Sequence, residues 1–148
     1  MAANVPAICN SFKTDLLNGY HAFSAAYRAA DAFKAALYLI NQSIGAATAA
    51  YSATGEASGT GYTAGGAAVT NASAPALSGS TACWTPSGSL VWAGLTLASA
   101  FDTVLIYNST QANKAVSSHN FGPQTITAGT FTLTMPGNTA GNALVQLA

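Results

Sequence analysis

Apolar and polar residues alternate in several short runs, and that period of two predicts strands. Phe33, Ala35, Leu37 and Leu39 fall on one face of such a run, with Lys34, Ala36, Tyr38 and Ile40 on the other. Residues 90–97 carry Leu90, Val91, Trp92, Leu95 and Leu97. The run Phe101-Asp-Thr-Val-Leu-Ile-Tyr107 becomes apolar on both faces, as a strand covered on both sides does. The clearest alternation is Phe131, Leu133 and Met135 against Thr130, Thr132 and Thr134. It reads as a half-buried strand with a threonine face, entered from a short strand Thr125–Thr127 through the turn Ala128-Gly129. Leu144, Val145 and Leu147 form a last candidate strand.

One segment has a helical period. Ile8, Phe12 and Leu16 recur every four residues, Pro6 suits a first helical turn and Gly19 a C-terminal stop. A helix is therefore predicted within residues 4–19, and a β-domain over residues 30–148. A helix this short depends on packing its apolar stripe against something: the β-domain or a neighbouring subunit.

Turn residues separate the strands: Gly55, Gly59, Gly61, Gly65-Gly66, Pro75, Gly79, Pro86, Gly88, Gly122-Pro123 and Pro136-Gly137. No strong helical pattern intervenes. The expected fold is one mainly β domain, an antiparallel β-sandwich or jelly roll with a short N-terminal helix. Residues 45–68 are low in complexity and read as a strand edge plus an extended loop. The glycines at 59, 61, 65 and 66 supply positive φ or close backbone approach rather than a phosphate cradle, since no Lys-Ser/Thr pair follows them.

Composition changes the picture more than any motif. Only 5% of the 148 residues are charged and the formal net charge is zero. An ordinary soluble domain carries about 25% charged residues. Ala, Gly, Ser and Thr make up about half the chain. There is no basic patch, which argues against nucleic acid as a partner. No run of strongly apolar residues is long enough for a membrane span. A surface so poor in charge lacks the usual protection against association, so much of it is expected to be covered by other protein.

The candidate chemistry is sparse. Four carboxylates are scattered at Asp15, Asp31, Glu56 and Asp102, and a glycosidase pair needs two at a defined separation. Glu56, in a glycine-rich stretch, could bond turn amides or a partner across an interface. His21 and His119 lack metal-ligand spacing, and no Gly-x-Ser-x-Gly elbow is present. No catalytic residue, cofactor or metal is expected. Cys9 and Cys83 could be two buried thiols or one bridge. Trp84 and Trp92 are expected in the core rather than on a sugar-binding face. The sequons at Asn41, Asn71 and Asn108 read as chance matches, because the start Met1-Ala2-Ala3-Asn4 lacks the features of a secretory signal. Synthesis in a reducing cytosol is the expectation.

Several stretches carry a resemblance. They are Phe33-Lys34-Ala35-Ala36-Leu37-Tyr38, the run from Tyr51 through Glu56 and Tyr62 to Gly66, Tyr107-Asn108-Ser109-Thr110 with Asn113–Val116, Phe121-Gly122, and Ala128–Pro136. Together these resemble small structural virion proteins of tailed bacteriophages. The resemblance implies a structural role without catalytic residues. The expectation is a capsid decoration or cement protein that binds the major capsid protein and self-associates as a dimer or trimer in the virion. The alternative is a tail or fibre component that binds a host glycan. Expected interface residues are Ile8, Phe12 and Leu16 on the helix, with Tyr51, Glu56 and Tyr62 in the loop region.

Overall fold

The computed structural model describes residues 3–70 and 74–148; Met1, Ala2 and the Asn71 sequon lie outside the described residues. The chain is mainly β with one short helix. Its elements are β1 (Ala7–Ile8), α1 (Asn10–Leu17), β2 (Phe33–Leu39), β3 (Gly59–Thr60), β4 (Ala67–Val69), β5 (Ala76–Ser78) and β6 (Thr81–Trp84). They continue with β7 (Leu90–Leu97), β8 (Phe101–Asn108), β9 (Lys114–Gln124), β10 (Gly129–Leu133) and β11 (Val145–Leu147). Every strand pair is antiparallel. The strands form three sheets, ordered β1-β9-β8-β2-β4, β10-β7-β3 and β11-β6-β5.

The five-stranded sheet has β8 at its centre, and all eight β8 residues are buried. The double-faced apolar run predicted at 101–107 is therefore a central strand. It pairs with β2 in the register Ala36↔Leu105 and with β9 in the register Leu105↔Ser118. In the second sheet, Leu90 and Trp92 point inward, and so do Leu95 and Leu97. The phase changes at Gly94, whose φ of 64° lies in the region that favours glycine, opposite the irregular pairing of Gly129 and Phe131. On β10, Phe131 and Leu133 are half-buried while Thr130 and Thr132 are exposed, as the alternation predicts. Thr125–Thr127 forms no strand; β9 ends at Gln124 and Leu97 donates its N–H to Ile126 O at 3.0 Å.

The N-terminal segment differs from the predicted helix at 4–19. The helix spans only Asn10–Leu17, and Ala7–Ile8 instead pair with Ser118 and Ser117 of β9. Pro6 thus precedes a strand, and Ile8 sits on that strand rather than on the helix. The reason is tertiary. The Asn4 amide donates to Leu39 O and Asp102 Oδ1 and accepts the Gln42 and Ile44 N–H groups. This fixes the segment in extended form along the sheet. The helix stop is as predicted. Gly19 (φ 73°) donates to Leu16 O and Tyr20 to Asp15 O, the paired bonds of a Schellman ending.

Two aromatic groups fill the core. Phe12, His21, Phe23, Phe33 and Trp84 pack under α1, with Phe23 and Phe33 stacked at 5.0 Å. Trp92, Phe101, Phe121 and Phe131 pack between the first and second sheets. Trp84 and Trp92 are both core residues, as expected. Cys9 and Cys83 are buried free thiols, and burial pushes the Cys9 thiol up to about 11.

Candidate functional site

The six expected interface residues fall into two separate groups. Ile8, Phe12 and Leu16 lie along one apolar face. Here α1 runs beside β11, and a groove of about 480 Å³ lies between them. One wall comes from Ile8, Phe12, Leu16 and Leu17, the other from Val145 and Leu147. Phe12 is buried and Leu16 half-buried, so both also belong to the molecule's own core. Leu16 borders two further hollows, toward Phe23 and Pro75 and toward Tyr27. Leu17 is 90% exposed, Leu77 76% and Leu147 50%. Leu77, Ala82 and Leu147 are direct neighbours across the third sheet, so they share one face of it.

Leu17 was not among the expected interface residues. Its neighbour Leu16 completes the four-residue period, which places Leu17 off the stripe. The available signal was an apolar residue on the polar side of a short helix.

Tyr51, Glu56 and Tyr62 come together as a second group, and their polar atoms bond to one another. Tyr51 donates its hydroxyl to Glu56 Oε2 at 2.6 Å and Tyr62 to Oε1 at 2.7 Å. The Gly65 N–H also donates to Oε1 at 2.7 Å. Tyr62 in turn accepts the Leu37 N–H, and Tyr107 donates to Gly65 O at 2.6 Å. Tyr38 donates to Ser52 O. Tyr51 stacks on Tyr107 with ring centroids 4.7 Å apart. One carboxylate thus ties the 51–66 loop to β2 and β8. Burial, and donation to the Glu56 carboxylate, hold the Tyr51 and Tyr62 hydroxyls well above the ordinary phenol range. Burial pushes Tyr38 up to about 12. Gly66 (φ 76°) allows the closure: a Cβ there would sit 1.9 Å from Ala35 O.

A third group ties residues 20–31 to β8. Asn108 Oδ1 accepts the Thr110 and Gln111 N–H groups, so its Nδ2 donates to Asp31 Oδ2 and His21 Nδ1. His21 Nδ1 is therefore the acceptor nitrogen of a neutral ring. Burial lowers the His21 pKa, against the opposing pull of Asp15 and Asp31. Burial alone would raise Asp31, but donation by Arg28, the Ala22 N–H, Asn108 and Gln111 outweighs it and holds the carboxyl at about 2. His21 Nε2, Asp15 Oδ2 and Ser11 Oγ are buried without a hydrogen-bond partner.

On β9, Ser117 Oγ and His119 Nε2 are 2.9 Å apart, and burial pushes His119 down to about 4. Ser117 is fully buried, and His119 lines a hollow with Ile106, Leu133 and Leu144. Among the described residues no group of three or more His, Cys, Asp or Glu side chains could hold a metal ion. Nor is any described helix long and apolar enough to cross a membrane.

The charged groups are largely used up inside the fold. Asp15, Asp31 and Asp102 are buried and Glu56 is half-buried, so no carboxylate side chain is exposed. Lys114 pairs with Asp15 at 2.8 Å and lies 4.7 Å from the Tyr20 ring centroid; Arg28 pairs with Asp31 at 2.7 Å. Among the described residues, Lys13 and Lys34 are left without an ion pair, and Lys34 is half-buried.

No protein-family model, curated protein or solved structure matches this chain.

Proposed function

We propose that this chain is a structural protein of a tailed-bacteriophage virion, a decoration protein that binds and stabilises the shell of major capsid protein. The observation that carries the reading is the absence of any exposed carboxylate side chain. A protein that lives free in solution keeps its copies apart with interspersed surface charge. Here every acidic side chain is spent on internal bonds, and the exposed surface carries Ala, Ser, Thr, Gly, amides and a few large apolar residues, with Lys13 and Arg28 as its exposed charged residues. Such a surface suits a molecule held at high local density among protein neighbours. The resemblance of residues 33–38, 51–66, 107–110, 113–116, 121–122 and 128–136 to small virion proteins points the same way.

The mechanism is mass action on the assembled lattice. A protein that binds only the assembled shell lowers its free energy, and many identical sites multiply the effect. No step needs a catalytic group, a cofactor or a metal. Contacts across the seams between capsid subunits would come from the apolar face around α1 and the third sheet.

Copy number per particle tests this directly. Quantitative densitometry of purified virions is expected to give hundreds of copies. A handful of copies would favour the tail or fibre reading with a glycan ligand. Stripping the protein from shells is expected to lower their melting temperature, and adding it back to restore it. Shells whose melting is indifferent to the protein would overturn the cement role.

A further inference from the structure

We propose that residues 20–30 are an acid-released strap: a proton on His21 expels its ring from the Asn108 amide and frees the strap from the aromatic group beneath it, while the sheets stay folded.

The Asn108 amide is what forbids a charged ring. Its Oδ1 accepts the Thr110 and Gln111 N–H groups, each at 3.1 Å. Its Nδ2 donates to Asp31 Oδ2 at 2.8 Å and to His21 Nδ1 at 3.0 Å. A protonated imidazole carries a hydrogen on both nitrogens, so Nδ1–H would point at the Nδ2 donor. Turning the ring over changes nothing, because either nitrogen then donates. Turning the amide over would set Oδ1 against the Asp31 carboxylate and Nδ2 against two backbone N–H groups. Three hydrogen bonds would be lost to save one, so the ring has to leave.

The ring's surroundings supply no substitute acceptor. Phe12, Phe23 and Phe33 lie around it at centroid distances of 4.9, 6.1 and 6.4 Å. Nε2 is buried without a hydrogen-bond partner. Four charged groups act on the ring: Asp15 from α1, Asp31 from the end of the strap, Lys114 from β9 and Arg28 from the strap itself. The carboxylates favour the charged ring and the cations oppose it, and burial outweighs the carboxylates. Among the described residues neither carboxylate forms an ion pair with the ring.

The strap can open without tearing a sheet. No residue from 20 to 30 belongs to a strand, and residues 25–30 are exposed. The strap follows Gly19, whose φ is 73° and whose α-carbon faces open space. Ala22 N–H donates to Asp31 Oδ2, and Asp31 N–H donates to Ala22 O. These two amides therefore report whether the strap is closed.

The closed strap holds His21 neutral, and the open strap returns it to its ordinary 6.5. Opening thus takes up a proton, so closure is complete above 6.5 and weakens as pH falls below it. Asp31 has an ordinary value of 3.8, so a window from pH 7 to pH 5 leaves it ionised. His119 lies on β9, and a His119→Gln background removes it from the same window.

Hydrogen exchange on that background, corrected for the intrinsic pH dependence of exchange, tests the proposal. Protection of the Ala22 and Asp31 amides is expected to fall about tenfold between pH 7 and pH 5, while β8 amides keep theirs. Adding His21→Gln, whose side-chain oxygen can accept from Asn108 but takes up no proton, should abolish the fall. Proton NMR of the parent protein, which needs no substitution at His21, should show its ring titrating below 6.5. Strap protection indifferent to pH, an equal loss across β8, a fall that survives His21→Gln, or a ring that titrates above 6.5 would each overturn the proposal.

Discussion

The five-stranded sheet and the α1–third-sheet end of the molecule are built to opposite standards. In the sheet, β8 buries all eight residues, and the polar groups around it are bonded: Thr103 to Asn120, Asn108 to Asp31, Tyr107 to Gly65 O. At the other end, Leu17, Leu77 and Leu147 are exposed beside open apolar hollows, and Ser11 Oγ, Asp15 Oδ2 and His21 Nε2 lack partners. Both regions come from the same charge-poor chain. The contrast teaches where apolar burial is completed and where it is not: β8 is covered on both faces, while the α1 end leaves Leu17, Leu77 and Leu147 exposed.

The largest expected effect is on the sheet. Leu105→Ala, at a fully buried position, should lower unfolding free energy by about 3–4 kcal/mol in urea titrations. If Leu77→Ala at the open end cost as much, the two regions would not differ and the comparison would fail.

Acid should reveal the next effect. His119 titrates at about 4 in the fold against an ordinary 6.5, because burial disfavours its charged form. Between these values the unfolded chain holds more protons, so stability is full above the ordinary value and falls as pH drops toward 4, by up to about 3 kcal/mol. His21 shifts in the same direction. Asp31, held at about 2 against an ordinary 3.8, adds a second fall of about 2 kcal/mol below that window. Urea midpoints measured from pH 7 to pH 2 should therefore decline in two stages. His119→Gln should flatten the first stage; an unchanged profile would remove His119 from the account.

Glu56→Gln should cost about 2 kcal/mol, because three donors lose a charged acceptor. Hydrogen exchange should quicken across residues 51–66 and leave β11 unaltered. The smallest stability effect belongs to Leu17→Lys, within about 0.5 kcal/mol, because the side chain is 90% exposed.

The parts of this fold that were legible in advance are those whose burial is set by local pattern. β2, β7, β8 and β10 each carry their period or apolar run in a few consecutive residues, and the helix stop at Gly19 needs only one positive φ. Elements set by distant partners were not legible. β1 exists because Ala7 and Ile8 meet Ser118 and Ser117, more than a hundred residues away. β5 and β6 are short strands in a segment without alternation, and their sheet is completed by β11 from the end of the chain. Tyr51, Glu56 and Tyr62 share a loop rich in turn glycines, and that much is legible in the sequence. Their mutual hydrogen bonding depends on Gly65 and Gly66 bringing the loop back onto β2, which spacing does not encode.

Cryo-electron microscopy of the intact virion at side-chain resolution tests the central claim most directly. Many copies are expected on the shell lattice, each with its α1–β11 face pressed against protein. A chain confined to the tail, or sitting on the particle with that face open to solvent, would contradict it.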